Sequence, residues 1–169
     1  MFLPNRITSL NLLYRASEHS FSSSAFHKHC DEKGPTIVLI ESKKKKFFGG
    51  YTSLDWTSIK GFSGAEGESS FLFSLDKKTK HPVKERWRGK YIYGGETNGP
   101  TWGEEERFDL HICDECHERR NSSSFLGGIY KTGLIDADAV TEVEWLAGER
   151  KFLVNEYEVF KIELDNKSY

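Results

Sequence analysis

The chain has 169 residues, with 24 basic and 26 acidic side chains and a formal net charge of −2. Apolar residues make up 37% of it before its 15 glycines are counted, a composition typical of globular domains and not of disordered proteins. Its mean hydropathy is −0.60, and no run approaches the roughly 18 apolar residues that a membrane-spanning helix needs, so the sequence predicts no membrane span.

Length and cysteine content point to one domain in a reducing compartment. A chain of this size buries enough surface to fold without disulfide bonds. Three cysteines are an odd number and too few for a disulfide framework, so free thiols and a cytoplasmic location are expected.

The first third of the chain predicts a helix followed by a β-hairpin. Ser22 is placed to cap a helix that runs to about Lys33, where Gly34-Pro35 stops it. The β-branched run Thr36 to Glu41 predicts a strand buried on both faces. Four lysines from Lys43 to Lys46 predict a solvated turn before a second strand, Phe47 to Thr52.

The middle of the chain predicts further short strands separated by turns. The turns are expected around Lys77 to His81 and at Asn98-Gly99-Pro100. The strands are predicted at Phe71 to Leu75, Tyr91 to Tyr93, Thr101-Trp102, Leu110 to Cys113 and Ser124 to Tyr130.

The end of the chain predicts a short helix and a long strand. The helix is expected at Asp138 to Leu146 and the strand at Tyr157 to Leu164. Apolar positions change parity between Val159 and Phe160, which predicts a β-bulge that keeps both sets facing the core. The whole pattern predicts an α+β fold of two packed sheets flanked by a few short helices.

The sharpest local motif is the Cys-x-x-Cys-His run of Cys113, Cys116 and His117. Thiolates and imidazoles at this spacing are zinc ligands, with His111 or Cys30 as a fourth, so a zinc or redox protein is one hypothesis. Structural zinc sites commonly take their ligands from two paired clusters, and a second pair is missing. The sequence therefore predicts no cofactor, and this motif remains an alternative.

Two other kinds of chemistry are weighed and not favoured. Ser22 to Ser24 beside His27 and His29 contain the residue types of a serine hydrolase, but the Gly-x-Ser-x-Gly motif is absent. The stretch from Lys77 to Lys90 holds seven basic residues against one acid, as nucleic-acid-binding stripes do. The sequence pI of about 6.3 argues against nucleic acid as a partner.

Taken in order, these segments resemble the TLDc domain of the oxidation-resistance and nuclear-receptor-coactivator-like proteins. The blocks that carry the resemblance are Leu12-Leu13-Tyr14-Arg15, Phe21-Ser22, Cys30 to Thr36, Phe48 to Thr52 with Trp56, Phe71 to Leu75, Gly99-Pro100 with Gly103, Asp109-Leu110 with Ile112, Leu126-Gly127 with Tyr130, and Glu156 to Phe160. The implied organisation is a lead-in of residues 1–10, a domain of residues 11–164 and a tail of residues 165–169.

The resemblance implies a β-sandwich flanked by helices and a role that is not enzymatic. Members of this family protect cells from oxidative stress, and several bind the cytosolic sector of the vacuolar-type proton pump, in some cases promoting its disassembly. The expected partner is therefore that sector, which the chain would bind and regulate. The alternative is another large assembly, in which the chain would serve as a structural subunit or scaffold. No catalytic residue is carried over.

Aromatic residues beside Gly/Pro turns are the predicted contact surface for a protein partner. The expectation is that Trp56, Asn98, Thr101 and Trp102 lie on exposed turns, because aromatic side chains contribute strongly to binding energy when a partner covers them.

Overall fold

The computed structural model describes residues 7–65, 67–87, 89–105, 107–133 and 139–165. In chain order its strands are β1 Ile7–Arg15, β2 Thr36–Ser42, β3 Phe47–Thr52, β4 Gly61–Ser63, β5 Ser70–Ser74, β6 Thr79–Pro82, β7 Ile92–Gly94, β8 Asn98–Glu104, β9 Arg107–Cys113, β10 Ser122–Ser124, β11 Lys151–Phe152 and β12 Val154–Leu164. Its helices are α1 Ala16–His19, α2 Ser23–Cys30 and α3 Ala139–Glu144, with a 3-10 turn at Glu85–Trp87.

The described strands form two antiparallel sheets of six strands each. The first sheet has the order β1-β12-β2-β3-β5-β6, and the second has the order β11-β10-β9-β8-β7-β4. The two sheets bury one continuous apolar core between them. The predicted α+β sandwich with a few short helices is thereby confirmed.

Helix α2 begins where the sequence predicts it and ends early. The Ser22 hydroxyl accepts a hydrogen bond from the Ala25 N–H at 3.3 Å, which satisfies one of the free donors of the first turn. The helix stops at Cys30 because Asp31 adopts an extended backbone, so the predicted extension to Lys33 is wrong. The predicted start of α3 at Asp138 lies outside the described residues.

The lysine run forms the predicted hairpin turn. Strands β2 and β3 pair from Thr36 opposite Thr52 to Glu41 opposite Phe47, and Lys45 adopts a left-handed backbone with φ of 57° in the turn. Burial along β2 alternates, with Thr36, Val38, Ile40 and Ser42 fully buried and the residues between them half-buried. The prediction of a strand buried on both faces therefore holds fully for one face, whereas Ile37 and Leu39 on the other face are half-buried against a second apolar cluster.

Two predicted segments of the middle region are corrected. Asn98-Gly99-Pro100 is not a turn but the start of β8, where pairing with β9 is irregular between Asn98 and Thr101. Such a break accommodates proline, which lacks the N–H that a regular ladder needs. Only Ser124 of the predicted Ser124 to Tyr130 strand lies in a strand, since β10 ends there.

Strand β12 is longer than predicted, and it contributes apolar side chains to both faces of the first sheet. It pairs without interruption with β2 from Glu156 to Lys161, whereas its ladder with β1 is irregular at the predicted position, where Phe160 faces Leu12 and Val159 faces Tyr14. Tyr157 and Val159 belong to the core between the sheets, whereas Ile162 joins a second apolar cluster with Tyr51, Phe71 and Phe73. The change of parity therefore reflects burial on two opposite faces.

The first and last strands can be compared with the predicted domain boundaries at residues 11 and 164. Strand β1 begins at Ile7, so strand pairing already starts within the stretch expected to be a lead-in. Strand β12 ends at Leu164. Residues 1–6 and 166–169 lie outside the described residues.

Trp102 of β8 packs directly on Gly50 of β3, across the space between the two sheets. A β-carbon at Gly50 would lie 2.5 Å from Trp102 Cζ2 and 2.6 Å from Cε2, closer than carbon atoms can approach. Trp102 also meets Trp56 edge to face, with ring centroids 5.1 Å apart, and Trp56 meets Phe26 of α2 in the same way at 5.5 Å. The missing side chain of Gly50 thus makes room for an aromatic row that joins both sheets and α2.

We expect Gly50→Ala to lower the free energy of unfolding by about 2–4 kcal/mol, because the added methyl group overlaps a ring that is packed on every side. Chemical denaturation of the variant and the native chain measures this. Gly95→Ala is the matched control, since its added methyl group would meet only the flexible end of Asn98 at 2.9 Å. A Gly50→Ala variant as stable as the native chain would contradict the packing described here.

Candidate interaction surface

Three of the four residues predicted to form the contact surface are buried. Trp56, Thr101 and Trp102 have essentially no exposed surface, so the expectation that they lie on exposed turns is wrong. The aromatic rings fill the space between the sheets, where they bury more apolar area than a turn position would allow. Asn98 is half-buried and is the one member of the set that reaches a groove at the surface.

The buried residues instead make hydrogen bonds that stabilise the strands and loops near that groove. The Trp56 indole N–H donates to the Thr36 hydroxyl at 2.8 Å, which links the loop after β3 to β2. The Thr101 hydroxyl donates to the Gly99 carbonyl at 3.0 Å and also contacts His111 Nδ1 at 2.9 Å. Burial lowers the pKa of His111 to about 4, so this histidine is neutral at physiological pH.

An open groove of about 350 Å³ lies at one end of the second sheet. We call it the docking groove and define it by the residues that line it: Lys60, Tyr93, Gly95, Glu96, Thr97, Asn98, Glu105 and Phe108. These residues come from the loop after β3, from β7, from the β7–β8 turn and from the β8–β9 hairpin. The groove therefore gathers four separate segments of the chain around one surface concavity.

A charged pair and a tyrosine form one wall of the docking groove. Lys60 Nζ lies 3.3 Å from Glu105 Oε1. A side-chain hydrogen bond from Tyr93, followed by the hydrogen bond and charge of Lys60, lowers the pKa of Glu105. The hydrogen bond and charge of Glu105 in turn raise the pKa of Lys60. Both charges are thus present at neutral pH and available to a partner.

Apolar side chains border the charged wall. Ile59 is 77% exposed and counts here as one of several exposed apolar side chains near the groove, because a group of them is more informative than a single one. Phe62 is 37% exposed and meets Tyr93 edge to face, with centroids 5.0 Å apart. Phe108 also contacts Tyr93, with ring centroids 5.3 Å apart. Apolar anchors next to a polar rim are the usual composition of protein-binding surfaces.

His27 of α2 supports the turn that forms the floor of the docking groove. Its Nε2 lies 2.9 Å from the carbonyl oxygens of both Gly95 and Asn98, and its Nδ1 lies 2.7 Å from Asp31 Oδ1. Asp31 also accepts the Ser58 N–H at 2.9 Å, next to exposed Ile59. One histidine and one aspartate therefore fix the β7–β8 turn and the Ile59 loop relative to α2.

A buried carboxylate organises the opposite part of the second sheet. Asp109 of β9 accepts backbone N–H groups from Gly127, Gly128, Ile129 and Tyr130 at 2.8–3.3 Å. Burial raises the pKa of Asp109 to about 6, although these four donors favour its charged form. Sequence reasoning noted the Asp-Leu and Leu-Gly pairs but not their contact, because nothing local relates positions 18–21 residues apart.

The Cys113, Cys116 and His117 motif does not assemble into a metal site. Among the residues that the structure describes, no group of three or more His, Cys, Asp or Glu side chains is placed to hold a metal ion. All three cysteines are free and buried, and burial raises the pKa of the Cys30 and Cys116 thiols. His117 instead stacks on Phe21, with centroids 4.2 Å apart.

The serine and histidine cluster is also accounted for by structure. Ser22 caps α2, and His27 contacts Asp31 and two carbonyl oxygens rather than a hydroxyl group. No hydrogen bond joins a serine of Ser22 to Ser24 to either nearby histidine within the described ranges. The arrangement therefore lacks the nucleophile–base contact that a serine hydrolase needs.

Three lysines of the basic stretch from Lys77 to Lys90 contact aromatic rings or carbonyl groups. Lys77 Nζ lies 3.7 Å from the centre of the Trp145 ring. Lys84 Nζ donates to the carbonyl oxygens of Gly127 and Gly128 at 2.5 and 3.1 Å. Lys90 lies over Phe62 at 5.4 Å. These cations stabilise the fold and its groove rim instead of forming an open stripe for phosphate groups.

None of the described helices has the length and apolar character needed to cross a membrane. The longest of them, α2, has eight residues.

Loss of the Asp109 carboxylate should strongly destabilise the fold. We expect Asp109→Ala to lower the free energy of unfolding by about 2–4 kcal/mol, because two buried and two part-buried N–H groups would lose their acceptor. Chemical denaturation measures the change. Asp76→Ala is the matched control: Asp76 is exposed and accepts one N–H, from Phe47, so its loss should cost under about 1 kcal/mol. Equal costs for the two variants would contradict the assigned role.

The raised pKa of Asp109 gives its contribution a definite pH dependence. As pH rises from about 4 to about 6, the unfolded chain loses this proton first, because its pKa lies near 3.8 and the folded pKa near 6. The folded state then binds more protons, so its stability relative to an Asp109→Asn variant should fall by about 2–3 kcal/mol across that window. Unfolding free energies of both proteins from pH 3.5 to 7 test this, and a constant difference would refute it.

Comparison with known proteins relates this fold to one family. The family model described as the TLDc domain matches residues 1–163. The GTPase-activating protein skywalker of Drosophila melanogaster is 34% identical over 92 residues, which are 48% of this chain and 16% of that protein.

Two amphibian proteins show shorter similarities. TBC1 domain family member 24 of Xenopus tropicalis is 39% identical over 46 residues, 27% of this chain and 8% of that protein. Its namesake in Xenopus laevis is 37% identical over 49 residues, 29% of this chain and 9% of that protein. The matched parts thus span less than a fifth of each relative. The family model, in contrast, covers nearly all of this sequence and agrees with the two-sheet sandwich, and the chain belongs to the TLDc domain family.

Proposed function

We propose that this chain is a non-enzymatic interaction domain that acts in the cytoplasm and binds the cytosolic sector of the vacuolar-type proton pump through its docking groove. By binding, it regulates the assembly state of the pump and contributes to protection from oxidative stress. The observation that carries the proposal is the docking groove itself, where exposed apolar side chains adjoin a charged pair.

The chemistry of the docking groove supports a protein partner. Ile59 and Phe62 offer apolar area that water contacts in the free chain, and a partner that covers it gains the free energy of that burial. Lys60 and Glu105 present one charge of each sign, which favours a partner with a complementary pair and disfavours a surface of one sign such as nucleic acid. The supports at His27 and Asp31 lower the entropy lost on binding, because the turn is already held.

The identity of the partner is proposed from the family. Several TLDc proteins bind the pump's cytosolic sector, and membership in this family supports the same partner for this chain. Such a ligand shifts an assembly equilibrium only by its difference in affinity for the two states. We infer that the domain favours the disassembled state, in which the surfaces that join the pump's sectors are free.

One other function shares the same surface. A structural subunit or scaffold of a different large assembly would also need an exposed apolar and charged groove, and it is the second candidate. A zinc or redox protein that uses Cys113, Cys116 and His117 finds less support, because burial holds both thiols away from solvent and the imidazole ring stacks on Phe21.

We expect a reversal of the Lys60 charge to weaken binding to the purified cytosolic sector. Lys60→Glu should raise the dissociation constant about tenfold or more, because it places two like charges in the docking groove. The double variant Lys60→Glu with Glu105→Lys restores the ion pair with its two charges exchanged. It shows whether Lys60→Glu weakens binding by breaking the ion pair or by removing a charge that complements the partner. Titration of the immobilised chain at two salt concentrations measures all three affinities.

The matched control reverses a comparable pair on another surface. Lys45 Nζ lies 3.0 Å from Glu41 on the β2–β3 hairpin, and Lys45→Glu should leave binding unchanged. No binding by the native chain would refute the pump as partner. Binding that survives Lys60→Glu but is lost with Lys45→Glu would place the contact on the hairpin and not in the docking groove.

A further inference from the structure

The two sheets have four edge strands among the described residues, and they differ greatly in length. Strand β1 has nine residues, whereas β6 has four, β4 has three and β11 has two. A long edge strand exposes a row of unpaired backbone N–H and C=O groups that another strand can join. Of these four edges, β1 alone offers a ladder of useful length.

The sequence of β1 lacks the side chains that usually block such pairing. From Ile7 to Tyr14 it contains no charged residue and no proline, whereas the opposite edge β6 carries Lys80 and ends in Pro82. Pairing between β1 and β12 is irregular between Ile7 and Ser9 and between Leu12 and Tyr14. The segment Ser9 to Leu12 between these irregularities is regular and central in the strand.

The outer face of β1 is apolar and uncovered. Leu10 is 54% exposed and Leu12 is 42% exposed. They pair with Ile162 and Phe160 of β12, and Ile162 belongs to the second apolar cluster on the outer face of the first sheet. The two leucines therefore extend that cluster to the free edge, where a strand added to the sheet would cover them.

We propose that two copies of this chain associate by antiparallel pairing of their β1 strands about a twofold axis at Asn11. In this register Leu10 of one copy lies opposite Leu12 of the other on the same sheet face, so both exposed pairs are buried together. The first sheets of the two copies then join into one continuous twelve-stranded sheet.

Charge argues for a second copy as the occupant of this edge. An isologous interface sets a surface patch against itself, so any charge near the axis meets its like. Ile7 to Tyr14 is free of charge, and the next residue of β1, Arg15, is held by Glu18 at 2.7 Å and by Glu158 at 2.6 Å. The other nearby charges belong to β12, where Lys161 lies opposite Asn11 and Glu163 accepts a hydrogen bond from the Ser9 hydroxyl at 2.8 Å. They are one strand away from the axis, so an uncharged β1 suits its own copy because no like charges meet there.

Sedimentation velocity of the whole chain from about 1 to about 200 µM tests the proposal over the range expected for a modest interface. We expect a concentration-dependent dimer in the native chain. Leu10→Lys should abolish it, because two lysines would lie near the axis. Ile59→Lys is the control at an exposed apolar residue outside β1, in the loop between β3 and β4, and should leave the dimer intact. Thermal unfolding confirms that each variant is folded.

A rescue variant tests the register. Leu10→Lys combined with Leu12→Glu in one chain should restore the dimer, because position 10 of each copy faces position 12 of the other and gives two opposite-charge pairs. Asn11→Cys should form an intermolecular disulfide under mild oxidation, with little background because the three native cysteines are buried.

Several results would overturn the proposal. A native chain that stays monomeric up to the highest concentration excludes the second copy as the occupant of β1. A dimer that persists in Leu10→Lys, or that is lost in Ile59→Lys, places the interface elsewhere. Failure of the charge-pair rescue with retained folding excludes the register centred on Asn11.

Discussion

The contact of Trp102 with Gly50 determines how the two sheets of this domain face each other. The ring takes the volume that a β-carbon would occupy, and it continues through Trp56 to Phe26 as a row of edge-to-face pairs. Because protein interiors are close-packed, this row fixes the spacing of the sheets and the position of α2 together. His27 on the same helix contacts the carbonyl groups of the β7–β8 turn. The position of α2 in the core therefore also determines the position of this turn in the docking groove.

Local signals in the sequence identify most of the elements but not their burial. The Ser22 cap and the lysine turn were predictable because each depends on residues adjacent in the chain. Trp56 and Trp102 were misplaced because neighbouring Gly and Pro residues indicate irregular backbone, while burial depends on which surface lies opposite. That opposite surface is Gly50, about fifty residues away from Trp102 in the sequence, and no local pattern identifies it.

The docking groove and the face of β1 were beyond sequence reasoning for related reasons. Lys60 and Glu105 meet only after the strands between them have paired, and the parity change in β12 has two explanations that a sequence alone does not separate. The structure shows that Ile162 and Val159 belong to apolar clusters on opposite faces of the first sheet. The first sheet therefore carries apolar side chains on both faces. Its outer face points away from the second sheet and is separate from the docking groove.

The most direct test of the account is site-specific photo-cross-linking from the rim of the docking groove. A photoreactive phenylalanine analogue at Phe62, which is 37% exposed, is compared with one at Leu75, which is 46% exposed outside the groove. Cytosolic extract supplies the partners, and mass spectrometry identifies the cross-linked chains. We expect proton-pump subunits to be cross-linked from position 62 and not from position 75. Pump subunits captured only from position 75, or none captured from position 62, would contradict it.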